Sequence, residues 1–136
     1  MLEFQDYIAV STVGDLMLHA TKKHPDKAAL VFPDQQRSFL ELRSGALRMA
    51  SGLWAMGVRP GDHVGILLPS SIGSAEAFFG VALLGAVSVP INARFRSREL
   101  SYLTENADLV IIITSGEIAE GVNFIERLND TFPAIA

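Results

Sequence analysis

The hydrophobic pattern along this chain alternates between helical spacing and short unbroken apolar runs. Val13, Leu16, Met17 and Ala20 fall at helical spacing behind Thr12, with Asp15 three residues on, which predicts a capped helix. His24-Pro25 closes it, because the residue before proline disfavours the α region. Ala28 to Phe32 reads as a short apolar strand, Pro33-Asp34 as a turn, and Arg37 to Phe39 as the return arm of a small hairpin. Ser38 and Glu41 form a capping-box pair ahead of Leu42, Ala46, Met49, Ala50 and Leu53, one face of a long helix that Gly57 stops.

Pro60-Gly61-Asp62 is a turn, and Val64 to Leu68 is a strand without alternation, as expected when both faces are covered. Pro69-Ser70-Ser71 opens a helix carrying Ala75, Phe78, Phe79, Val81, Leu83 and Leu84. It is apolar almost all round, as for a helix wedged between layers, and Gly85 ends it. A strand at Ala86 to Val89 is closed by Pro90. Ser97 caps a helix through Asn106, Leu109 to Thr114 is a further apolar strand, and Glu117 to Asn129 reads as an amphipathic helix before Pro133. Strands alternating with helices of this length imply right-handed crossovers and a largely parallel sheet with helices on both faces. The fold class is α/β. Ala28 to Phe32, Val64 to Leu68 and Leu109 to Thr114 are expected parallel in one sheet, with Ala86 to Val89 joining or extending its edge. No linker divides residues 1–136, and a pattern ending on a helix is expected to run on into a further strand.

Composition narrows the function classes. With 49% hydrophobic and 19% charged residues the chain can bury a core. A net charge of −4 argues against a broad basic face for nucleic acid. There is no cysteine, hence no disulfide framework and no thiolate metal site, which fits a cytoplasmic location. Met1 to Val10 carries acids and no lysine or arginine, unlike a signal peptide. Val110 to Ile113 is far too short to span a membrane.

Several stretches, in order and spacing, resemble the start of the AMP-binding, adenylate-forming enzymes: acyl-CoA synthetases, aryl-CoA ligases, luciferases and peptide-synthetase adenylation domains. They are Thr12-Val13-Gly14-Asp15-Leu16, His24-Pro25-Asp26-Lys27-Ala28-Ala29-Leu30 and Ser38-Phe39-Leu40-Glu41-Leu42. Gly57-Val58-Arg59-Pro60-Gly61-Asp62-His63-Val64 follows, then Ala77-Phe78-Phe79-Gly80-Val81 with Leu84-Gly85-Ala86-Val87. Pro90-Ile91-Asn92 and Arg98-Glu99-Leu100 complete the set. Two departures stand out: Ser70 where the family often has asparagine, and Leu84 where a polar or basic residue is common. The resemblance implies the large N-terminal domain of an enzyme that joins a carboxylic acid to ATP with magnesium, releases pyrophosphate, and passes the acyl group from AMP to coenzyme A. It also implies that the family's phosphate loop, aromatic-Gly-x-Thr-Glu motif, ribose-binding aspartate and C-terminal lysine lie beyond residue 136. No catalytic, cofactor-binding or metal-binding residue is therefore assigned within this sequence.

The tempting residues each have a plainer reading. Thr114-Ser115-Gly116 echoes a phosphate loop, but Glu117 follows and no lysine lies downstream, so a strand end and helix cap is expected. Arg94, Arg96 and Arg98 flank Phe95 and could hold a phosphate such as one of coenzyme A, though a solvated loop is commoner. His19, His24 and His63 lack the spacing of a metal site. Ser70-Ser71 lacks the flanking glycines of a nucleophile elbow and reads as a cap. Trp54 and Met56 read as packing groups. Two functions remain open: the N-terminal structural portion of an acyl-CoA synthetase, inactive alone, or a standalone non-enzymatic binding or dimerisation module. Sequence beyond residue 136 in the source gene separates them. Self-association, through a two-fold dimer, is expected from the apolar helix Ala75 to Leu84 and an open sheet edge.

Overall fold

The computed structural model describes residues 11–116, 118–119 and 121–135. The readings placed on Met1 to Val10, and on the Glu117 carboxylate, fall outside them. Helix α1 (Val13–Lys23) starts where Thr12 Oγ1 accepts the Asp15 N–H at 3.0 Å, and His24 ends it. Strand β1 (Ala28–Val31) turns back into β2 (Gln36–Ser38), and α2 (Phe39–Ala55) follows directly. The capping box at its head forms in full: Glu41 N–H donates to Ser38 Oγ at 3.2 Å, and Ser38 N–H donates to the Glu41 carboxylate at 2.8 Å. Gly57, at φ +98°, takes the chain out of the helix in a conformation that other residues resist.

The centre is a three-stranded parallel sheet in the order β4 (Val87–Pro90), β3 (His63–Leu67), β5 (Leu109–Thr114). Helix α3 (Ile72–Leu84), capped by Ser71 and closed by Gly85 at φ +79°, links β3 to β4. Helix α4 (Ser97–Asn106) links β4 to β5. Beyond β5 come a short hairpin, β6 (Ile118–Ala119) and β7 (Val122–Asn123), then α5 (Phe124–Thr131) and a 3-10 turn, Pro133–Ile135.

Strand β3 is buried along almost its whole length because a layer lies on each face. On one side Val64 and Ile66 meet Leu53, Val58, Ala77 and Val81 from α2, α3 and the turn between α2 and β3. On the other, Leu67 packs with Ile91, Leu100, Phe124 and Leu128 under α4 and α5. Gly65 lies in the middle of the strand, and a Cβ there would come within 2.9 Å of Leu109 and 3.0 Å of Ile91.

Four expectations need correction. Strand β1 is not part of the parallel sheet; it pairs antiparallel with β2 in a separate hairpin. An apolar run of four residues identifies a strand but not its neighbour, and the adjacent arm Gln36–Ser38 satisfied its backbone first. Glu117 to Asn129 is not one helix. The chain turns at Gly121, φ +77°, and the helix begins only at Phe124, where Asn123 accepts the Glu126 N–H at 3.1 Å. Ser97 is the first helical residue rather than the cap; Arg96 holds that position, its N–H donating to the Glu99 carboxylate at 3.0 Å. Finally, Trp54 and Met56 are not core groups. Trp54 is 51% and Met56 71% exposed, and the Arg59 guanidinium lies over the Trp54 ring at 4.0 Å.

Helix α3 is wedged between layers as its apolar composition implied, with α1 and α2 both packed on it, so it is not the bare face from which self-association was expected. Small residues set these approaches. A Cβ on Gly80 would lie 2.7 Å from Met49 Cβ and 2.9 Å from the Ala46 carbonyl, whereas the three atoms nearest to one on Gly45 all belong to the flexible Glu76 side chain. Two outcomes are expected in urea denaturation. Gly80→Ala gains about 1 kcal/mol of helix propensity yet forces overpacking worth about 1–3 kcal/mol, so it destabilises, while Gly45→Ala is near neutral or stabilising. Equal effects of the two would refute this account of the α2–α3 contact.

The Glu41 carboxyl is held below its ordinary range, first by the Ser38 N–H it accepts and then by the Ser38 hydroxyl and the charge of Arg37. A lowered folded-state pKa stabilises the fold above the unfolded pKa, and that stabilisation fades as pH falls through the folded value. Glu41→Gln should therefore destabilise the chain near pH 7 by more than it does near pH 3. A urea-midpoint difference that stays constant between these pH values would show that the charge contributes nothing.

Candidate functional site

In a parallel α/β sheet, ligands generally sit beyond the carboxyl ends of the strands. Here those ends present Leu68-Pro69-Ser70-Ser71 after β3, Ile91-Asn92 after β4 and Ser115-Gly116 after β5. Ser71 acts wholly as the cap of α3: its hydroxyl accepts the Ser74 N–H at 3.1 Å, and Ser74 Oγ accepts the Ser71 N–H in return. Neither hydroxyl is set up as a nucleophile, since no histidine is bonded to it.

Thr114-Ser115-Gly116 ends β5 as expected, but it caps no helix, because α5 starts nine residues after Ser115 behind its own cap Asn123. The hydroxyls of Thr114 and Ser115 are buried without a partner. Two orphaned hydroxyls are the one feature here that fits an oxygen-rich ligand, and the rest does not. No lysine occurs after Lys27. The turn therefore does not fit the phosphates of ATP, and no chemical step runs through it.

The segment Arg94 to Arg98 behaves as a surface turn. Its three guanidinium groups are exposed, and Asn92 Oδ1 accepts the Arg94 N–H at 2.9 Å to fix the bend. What anchors it is a residue that pattern reading passed over. Arg127 on α5 reaches across 32 positions to donate to the Phe95 carbonyl at 2.9 Å, and it also donates to the Ala93 carbonyl. An arginine on the polar side of an amphipathic helix carries no sequence signal for such a role. His63 is likewise structural: its Nδ1 lies 2.6 Å from the Ala107 carbonyl, tying the start of β3 to the end of α4. Among the described residues no three His, Asp or Glu side chains gather as metal ligands. No described helix is long and apolar enough to cross a membrane.

Two apolar clefts flank β5, one on each side. The first, about 550 Å³, opens between the strand and α5, with Leu109, Ile112, Leu128 and Phe132 in its wall. The second, about 530 Å³, opens between the strand and α2, lined by Met49, Leu53, Ile111 and Ile113, with Arg48 and Glu76 also in its wall.

A parallel sheet with helical layers on both faces defines the class as α/β. The sequence profile of the AMP-binding enzymes matches residues 17–135, and the chain belongs to that family. It is 34% identical over 110 residues to a medium/long-chain-fatty-acid–CoA/3-oxocholest-4-en-26-oate–CoA ligase of Mycobacterium marinum, a match covering 81% of this chain and 20% of that protein. Among solved structures, the inhibitor-bound N-terminal domain of FACL13 from Mycobacterium tuberculosis superposes with a TM-score of 0.76 at 30% identity, covering 85% of this chain and 29% of that one. A benzoate CoA ligase from Burkholderia xenovorans shares the fold at a TM-score of 0.80 and 18% identity, covering 91% of this chain and 24% of that one. The chain thus spans about a fifth of the length of the curated relatives it matches.

Arg127→Ala should destabilise the chain by about 1–3 kcal/mol, since it leaves two part-buried carbonyls unpaired. Arg94→Ala, at an exposed side chain, should stay within about 0.5 kcal/mol of the parent. Thermal or urea midpoints would check the pair, and equal effects would remove Arg127 from its anchoring role.

Proposed function

We propose that this chain is the N-terminal structural portion of an ATP-dependent acyl-CoA synthetase acting in the cytoplasm. In that reading residues 1–136 form part of the enzyme's large domain and build one of the sheets flanking the active-site cleft. The complete enzyme takes a carboxylic acid and ATP to acyl-AMP and pyrophosphate, with magnesium, and then transfers the acyl group to the thiol of coenzyme A. The observation that carries the proposal is the joint match, in sequence and fold, to a Mycobacterium tuberculosis fatty acyl CoA synthetase, at 29% identity and a TM-score of 0.76, over 85% of this chain but 23% of that one. The carboxyl edge of the sheet supports it too. The Thr114-Ser115-Gly116 turn has no lysine after it in this sequence, so in this reading the groups that stabilise a phosphoryl or adenylyl transition state belong to other parts of the enzyme. Arg94, Arg96 and Arg98 are exposed, and their contribution to holding a coenzyme A phosphate is a secondary part of the same reading.

The isolated chain should not activate acids. Without positioned transition-state donors an adenylating enzyme loses many factors of ten in rate. Pyrophosphate exchange with a panel of fatty and aromatic acids should stay at background with pure protein. Acid-dependent exchange would overturn the structural role.

A further inference from the structure

We draw no further inference here: the strongest candidate, the unpartnered Thr114 and Ser115 hydroxyls beside the two apolar clefts at the carboxyl end of β5, lies on a surface that nothing in the structure shows to be met by a ligand rather than by another part of the protein.

Discussion

Everything in this fold follows from the need of one strand to be dry on both faces. His63–Leu67 has Val64, Ile66 and Leu67 buried, and its side chains point alternately to opposite sides. A half-solvated sheet would leave one set wet. Parallel strands are reached through crossover helices, so the connections that build the sheet also deliver its cover. Helix α3 arrives on one face between β3 and β4, and α4 on the other between β4 and β5. The two cores are therefore separate clusters divided by one layer of backbone.

That arrangement explains where glycine is needed. Gly65 keeps the central strand thin where Ile91, Leu109 and Ile112 converge. Gly80 lets α3 sit deep against α2, and Gly14 lets α1 approach the Ala82 carbonyl, where a Cβ would lie at 3.1 Å. Helix α3 is apolar nearly all round for the same reason: it touches sheet, α1 and α2 at once. Its only charge, Glu76, lies over Gly45, where no side chain competes for the space.

The elements whose signal is local were legible. The caps at Thr12, Ser38 and Ser71, the stops at His24 and Gly57, and the β3 and β5 strands are fixed by residues within a few positions of one another. What escaped was decided by distant partners or by a competing local signal. Strand β1 looked like the other apolar runs, yet its pairing depended on β2. The span from Glu117 was amphipathic enough to pass for helix, although Gly121 and the Asn123-x-x-Glu126 cap were there to mark the later start. Trp54 sits one position past Leu53, about a quarter turn from the buried face, and periodicity alone would have placed it outside. The site reading fared differently. Ser71 as a cap and the exposed arginine turn were readable from composition and spacing, whereas the Arg127 anchor joins residues more than 30 apart and leaves no trace in either segment.

The same logic bears on what kind of object this unit is. A sheet that needs cover on both faces has it in full at β3 but not at β5, where Val110 is exposed and a cleft opens to each side. Apolar surface of this kind is stabilised by roughly 25 cal/mol for each Å² removed from water, so it favours any strand that can complete the two layers. A catalytic site would need the opposite: polar groups converging in a pocket, each with its orientation fixed by a neighbour. At the carboxyl edge Ser71 is consumed by the cap of α3, and the arginines of the turn after β4 point to solvent. The surface that asks for a partner is thus main-chain and hydrocarbon.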